Sequence, residues 1–457
     1  MFGKVKHIHF VGIGGTGMSG IAELLLNLGY KVSGSDISVT PVTERLAALG
    51  ARVDQGHEAA HVGDPDVVVY SSAIKRDNVE IEAASGKGIP VIPRAEMLAE
   101  LMRMRQGIAV GGAHGKTTTT WLVGLVMAAA RLDPTIIVGG RLKALGSNAK
   151  LGSGNYLVAE ADESDGSFLR LSPTIAVITT VDEEHLDHYV NLDAIKGAFI
   201  EFANKVPFYG AAVVCLDDEN VQSIMPHIER RVITYGFSHQ ADVQARDLVQ
   251  EGTDVTFNAV LRGKNMGSVL LKTPGEYNVL NSLAAIAIGV ELDIPFQAIG
   301  EGLARFTGIS RRLELKGEAG GVTVMDDYAH HPTEVAATLG AVRSTYGRRI
   351  VAVFQPHRYT RTHALWERLG RSFYDADTVI VTSVYAAGEA PIEGVTGELV
   401  ARAAVESGHR DVKYVPEMDD VIDHLEHTVA EGDIVITLGA GSIYAAGERL
   451  LERLKHD

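Results

Sequence analysis

Short apolar runs that stop at a glycine or an acid, each followed by a stretch of helical periodicity, recur along nearly the whole chain. "HIHFVGI" leads into "MSGIAELLLNLG", a helix that Gly29 is placed to end, and "KVSGSD" follows as the next strand. "DVVVYSSAI" and "PVIP" continue the pattern. Such alternation makes consecutive strands parallel, because each helix must carry the chain back over the sheet before the next strand begins. The expected class is therefore α/β.

A chain of 457 residues is too long for one core of this kind. Three domains are expected, over residues 1–100, 101–309 and 310–457. The helical piece "RAEMLAELMRMR" leads from the first into the second. There "GIAVGG", "NYLVAEAD", "IAVITTVDEEH" and "AAVVCLDDEN" read as strands, and "VTFNAVLRG" with "GSVLLKT" as an antiparallel annex. The third begins near "SRRLELKGEAGG" and carries "RIVAVFQP", "TVIVTSV" and "IVITLGAGS". The first and third read as Rossmann-like, and the central one as a P-loop-type domain with a mostly parallel sheet.

The formal net charge of −16 argues against a nucleic-acid binder, which needs a basic face to neutralise phosphates. Small anionic substrates remain open, since a few local cations and helix N-termini suffice to hold them. The single cysteine, Cys215, rules out an internal disulfide framework, and its setting predicts a buried strand residue. The longest apolar run, "WLVGLVMAAA", falls short of the ~18 residues of a membrane span. A cytoplasmic protein with no membrane partner is expected.

Two glycine-rich junctions carry chemistry. In "GIGGTG", Gly12, Gly14 and Gly17 form a GxGxxG pattern between a strand and a helix, and Asp36 ends the next strand. Glycine permits the tight turn, backbone N–H groups meet a pyrophosphate, and the acid accepts bonds from a ribose or base. Taken alone, the pattern suggests a nicotinamide dinucleotide. In "VGGAHGKTTTTW", Gly111, Gly112 and Gly115 free the backbone, Lys116 brings a charge to the β- and γ-phosphates, and Thr117 offers a hydroxyl to Mg²⁺. The longer P-loop pattern has glycine where this chain has Val110. An oxidoreductase needs only the first site and a simple nucleotide hydrolase only the second, so two sites imply two phosphorylated ligands.

Further polar residues fall at predicted strand ends, where doubly wound sheets place ligands. Glu160 and His185 are candidate ligands for a divalent ion beside the phosphates, and Asp162 lies close by. Asn278 and Asn281 share one helical face, where their amides either read a purine edge or pack as a polar pair. Arg311 and Arg312 open the third segment, within reach of a γ-phosphate across a cleft. Arg358 and Arg361, three apart in "FQPHRYTRT", can clamp a carboxylate with forked hydrogen bonds.

The motifs "GIGGTGMSGIAELLLNLGYKVSGSD", "GAHGKTTTT", "EADESDGSF", "HLDHY", "NVLNSLAA", "RRLE", "DDYAHHPTEV" and "FQPHRYTRT" together resemble the Mur ligase family of peptidoglycan synthesis, nearest its alanine-adding branch. The resemblance spans essentially the whole chain. It implies an ATP-dependent amide-forming ligase that uses Mg²⁺ and takes UDP-N-acetylmuramate and L-alanine, as a monomer or weak homodimer. The branch that adds a tripeptide to the same sugar is the alternative; "MSG" and "HRYTRT" argue against it. The family's phosphate loop is a shorter one, matched here from Gly112 to Thr117, which accounts for Val110.

By the same resemblance Gly112, Ala113, His114, Gly115, Lys116, Thr117 and Thr118 hold the nucleotide, together with Asn281, Arg312 and Asp327. Asn278 lies at the adenine side, Asp327 at the ribose, and Thr117, Glu160 and His185 hold Mg²⁺. Lys116, Glu160, His185, Asn278, Arg312 and Asp327 form the implied catalytic set. Gly14, Gly15, Asp36, Ser71 and Ser72 face the UDP part, while Glu163 and Ser164 also count with the substrate. Tyr328, His330, Arg358 and Arg361 resemble the alanine site. Several family members carry a carbamylated lysine after the HxD motif; here Phe199 falls in that register, near Lys196, and none is assigned.

Overall fold

The computed structural model describes residues 4–71, 73–138, 149–185 and 188–455. Three sheets organise it. The first runs Arg52–Gln55, Lys31–Asp36, His7–Val11, Val67–Tyr70, Val91–Pro93, with every pairing parallel. Chain order reverses at His7–Val11, so a crevice opens at the carboxyl end of that strand, where the first glycine loop lies. Gly12 turns there at φ +80°, and Gly34 lets the neighbouring strand approach the Phe10 carbonyl.

Among the described residues the central sheet has ten strands. Parallel strands from Ala211–Cys215 through Ile175–Ile178, Gln106–Gly111 and Tyr156–Glu160 form its middle. The expected antiparallel annex is Val243–Glu251, Asp254–Leu261 and Lys264–Leu271. Helices Lys116–Ala129 and Glu276–Glu291 pack together on one face through Trp121, Leu122, Val126, Leu283 and Ile286, all buried. Cys215 is buried in its strand, and burial pushes its thiol up to about 12, so it behaves as a small apolar residue.

The third sheet runs Glu314–Ala319, Val322–Asp327, Ile434–Leu438, Ile350–Phe354, Thr378–Val381, Val412–Tyr414, and only the first of these is antiparallel to its neighbour. This is the α/β, mostly parallel, three-sheet arrangement that the alternation predicts.

The link between the first two sheets differs from expectation. Helix Arg94–Arg103 runs straight across the boundary placed after residue 100. Its Met97, Leu98, Leu101 and Met102 are buried in one continuous cluster with Ile21 and Leu25 of the first sheet's layer and Leu157 and Ala159 of the second. A helix with apolar residues facing both neighbours joins the two cores instead of separating them.

Candidate active site

The phosphate loop follows strand Gln106–Gly111. Val110 is a fully buried residue of that strand, paired with Val177 and Glu160 on its two sides. The position that is glycine in longer loops thus belongs to the sheet. Curvature comes from Gly112 at φ +132°, where an added Cβ would strike Thr179, and from Gly115 at φ +80°, the N-cap of helix Lys116–Ala129. Ala113 N donates to Thr180 O at 2.9 Å and His114 N to Thr180 Oγ1 at 2.9 Å, which ties the loop to the end of strand Ile175–Ile178.

Lys116 Nζ bonds Gly112 O at 2.7 Å, Ala113 O at 3.1 Å and Glu163 Oε1 at 2.8 Å. Burial opposes its charge, but Glu163, Glu184, Glu160 and Asp162 together hold it above the ordinary lysine value. Thr117 Oγ1 donates to Glu160 Oε2 at 2.9 Å. His185 Nε2 lies 3.5 Å from Glu163 and 3.8 Å from Glu184. The three expected metal ligands therefore divide: Thr117 touches Glu160, while His185 groups with two further carboxylates across Lys116. Hydroxyl and carboxylate oxygens at one focus suit a hard cation such as Mg²⁺. Glu163, expected beside the substrate, holds Lys116. Ser164 N bonds Asp162 Oδ1 at 3.1 Å.

A deep pocket beside the loop is lined by His114, Gly115, Thr117, Thr118, Asn278, Asn281, Arg312 and Asp327, with Cys215, Tyr235 and Phe306 among its apolar walls. Both asparagines are also committed to packing. Asn278 Nδ2 donates to Pro274 O at 2.7 Å, and Asn281 Oδ1 accepts from Thr119 Oγ1 at 3.1 Å. Asp327 accepts from Leu313 N at 2.6 Å and Ala329 N at 2.7 Å. Burial pushes Asp327 up to about 6 despite the Arg312 charge and these N–H donors.

The first glycine loop lies on the other side. Gly14 N bonds Asp36 Oδ2 at 2.8 Å, so the acid braces the loop as well as facing its crevice. A cavity of about 240 Å³ runs from Gly15, Gly17 and Ser71 to Glu160 and Asp162. Arg94 lines it, 3.5 Å from Asp162, with its guanidinium packed against Gly17. No motif points to Arg94; the sequence shows only a basic residue opening the linking helix. Ser72 lies outside the described residues.

In the third domain, Arg358 and Arg361 line one cleft with Glu183, Glu184 and His185. They are not equivalent. Arg361 is held by His357 at 3.1 Å and Glu184 at 3.3 Å, whereas Arg358 caps helix Tyr359–Gly370 at φ +66° and is more exposed. His330 lies 3.7 Å from Glu184 and meets His357 edge-on, at the margin of this cleft. Tyr328 stands between the two regions: its ring lies under Arg311 and Arg312, at 5.0 and 5.5 Å, and meets the ring of His330 edge-on at 5.4 Å. His185, Arg311 and Arg358 all stand at positive φ, a concentration of backbone strain around one focus.

Known proteins resemble this arrangement along its whole length. Three family models match in order: the Mur ligase family catalytic domain at residues 7–106, the Mur ligase middle domain at 110–289, and the Mur ligase glutamate ligase domain at 311–441. A UDP-N-acetylmuramate–L-alanine ligase of Geobacter sp. (strain M21) is 56% identical over 456 residues, covering 100% of this chain and 99% of its own. One from Pelobacter propionicus is 55% identical with the same coverage. Among solved structures, the UDP-N-acetylmuramate–alanine ligase of Thermotoga maritima aligns with TM-score 0.82 at 29% identity over 99% of both chains. A murein peptide ligase of Psychrobacter arcticus aligns with TM-score 0.72 at 25% identity over 99% of both chains. The chain belongs to the Mur ligase family.

Proposed function

We propose that this protein joins L-alanine to the lactyl carboxylate of UDP-N-acetylmuramate with cleavage of ATP, in the cytoplasm. One observation carries the reading. Glu160 bonds the phosphate-loop Thr117 and also ends the cavity that starts at the first glycine loop, so a sugar nucleotide held there presents its far end to a γ-phosphate. The Arg358–Arg361 cleft reaches the same focus from the third domain through His185. Relatives at 54–56% identity bear the alanine-ligase name, which favours alanine over a tripeptide as the amine.

A carboxylate oxygen of the sugar nucleotide attacks the γ-phosphorus, and ADP leaves as an acyl phosphate forms. The amine nitrogen of alanine then attacks the acyl carbon, phosphate departs, and the nitrogen loses a proton to leave an amide. Lys116 and Arg312 neutralise charge on the transferring phosphoryl oxygens, and helix Lys116–Ala129 directs its N-terminus at them. Mg²⁺ beside Thr117 and Glu160 would supply further charge neutralisation, with His185, which stands across Lys116 with Glu163 and Glu184, as the third ligand that the resemblance implies. Gly14, Gly15, Asp36, Ser71 and Ser72 hold the UDP part, with Arg94 along its path; Asn278, Asn281 and Asp327 hold the nucleoside. Arg361 and Arg358 orient the alanine carboxylate, with His330 beside them.

The test is incubation with UDP-N-acetylmuramate, ATP, Mg²⁺ and single amino acids, followed by mass spectrometry. The expected product is the alanyl amide, with ADP and phosphate. Amide formed only with L-Ala-γ-D-Glu-diaminopimelate would overturn the assignment of the amine.

A further inference from the structure

Three consecutive acids follow strand Ile175–Ile178, and each reaches the third domain. Asp182 Oδ2 accepts from Thr333 Oγ1 at 2.6 Å and lies 3.4 Å from His331 Nδ1, while Asp182 Oδ1 lies 3.3 Å from Arg368. Glu183 lies 3.6 Å from Arg368 and Glu184 3.3 Å from Arg361. The same Asp182 carboxylate meets His114 Nε2 at 3.2 Å, and His114 belongs to the phosphate loop. The other ring nitrogen of His114 lies 3.4 Å from Glu334, in the first turn of helix Pro332–Tyr346. His114 thus stands between a carboxylate of the central domain and one of the third.

We propose that His114 and Asp182 form an interdomain latch through which the phosphate loop sets the position of the third domain, and with it the geometry of the Arg358–Arg361 cleft. The assignment of that cleft to the amino acid rests on the function proposed above. Asp182 acts through others and is a positioning residue, whereas His114 also lines the nucleotide pocket. The backbone of His114 is fixed by Thr180 Oγ1, so a shift of the phosphate loop moves the imidazole and both carboxylates it contacts. Asp182 gathers partners from two elements of the third domain, the helix start at His331–Thr333 and Arg368 of helix Tyr359–Gly370, which fixes orientation as well as distance. The imidazole of His114 carries a charge between these two carboxylates. Burial opposes that charge, but Asp182 and Glu334 push the ring up to about 10.

The experiment uses the full chain with Asp182→Ala and Asp182→Glu. For Asp182→Ala the alanine KM should rise about tenfold, a typical size for coupling between sites. The affinity for a fluorescent ATP analogue should weaken with it, because Arg312 and Asp327 of the third domain line the nucleotide pocket, while the UDP-sugar KM should change by less than about threefold, and Asp182→Glu should recover part of the alanine KM. An unchanged alanine KM, or an equal rise in the UDP-sugar KM, overturns the latch. Small-angle scattering with Mg²⁺ and a non-hydrolysable ATP analogue gives an arm independent of turnover: the radius of gyration of Asp182→Ala should exceed that of the parent, and equal radii overturn the proposal. If the parent protein forms no amide from alanine, the proposed function fails while the scattering still decides the latch. Should Asp182→Ala not fold, Thr333→Val with Arg368→Gln removes two of the three third-domain contacts of Asp182, leaving that of His331, and is read against the same criteria.

Discussion

Lys116 and Glu163 are nearly buried partners, and this changes what removing the lysine does. Lys116 neutralises phosphate when nucleotide is bound. It also neutralises Glu163, whose Oε2 is buried without a hydrogen-bond partner among the described residues. Lys116→Ala removes the nearest cation from that carboxylate. Breaking a buried pair in this way costs on the order of 3 kcal/mol, so thermal unfolding should move down by several degrees. Turnover should fall by about 10²–10³ or more, because the charge is needed where phosphoryl oxygens gather electron density. The two effects can be separated. Adding Glu163→Gln to Lys116→Ala should restore most of the melting temperature and none of the turnover. Recovery of both together would show that the lysine serves only the fold.

At the scale of elements, helix Leu192–Asn204 shows how one position is given over to packing. Phe199 is fully buried, edge-on to Phe168 at 5.4 Å, and close to Phe202 beneath the glycine that ends strand Gln106–Gly111. Phe199→Ala should destabilise the protein by about 3–5 kcal/mol, read by denaturant unfolding, since the strand and helix around it have no freedom to close the cavity. A loss below about 1 kcal/mol would mean that the site collapses freely. The same elements show what a sequence exposes. Long apolar strands and glycine junctions are legible because their signals are local: Gly112, Gly115 and Lys116 lie close together in the chain, although Thr180 and Glu163 hold them in place. Short edge strands are not, since Arg52–Gln55 has three polar residues in four and Val412–Tyr414 is too brief to show a period. The Arg94–Asp162 and Asp182–Arg368 contacts are equally hidden, because each joins residues from different domains and no spacing encodes them. The sequence leaves Asn278 and Asn281 open between purine contacts and packing, and the structure gives them both surroundings at once.

At the scale of the whole molecule, the nucleotide pocket is completed by a domain that does not carry the phosphate loop. Asp327 and Arg312 come from the third domain, Asn281 and Thr118 from the central one, and the pocket exists only when both are in register. Asp327 makes this arrangement sensitive to pH. Its carboxyl is pushed up to about 6 by burial, above its unfolded value, so the folded protein keeps a proton that the unfolded chain has released. The resulting contribution to stability is fully present at low pH and is lost as pH rises through about 6. Binding has the opposite sign. A ribose hydroxyl donates to the ionised carboxylate, so on the proposed role nucleotide affinity should weaken as pH falls below 6, approaching about tenfold per pH unit. Phosphate groups of the ligand titrate near 6 as well, so the informative quantity is the difference between two proteins. Affinity for ADP measured from pH 5 to 8 should show a steeper loss in the parent chain than in Asp327→Asn, which carries an amide that does not titrate. Identical profiles in the two proteins would remove Asp327 from the ribose and leave it a structural acid that fastens Leu313 and Ala329 at the edge of the pocket.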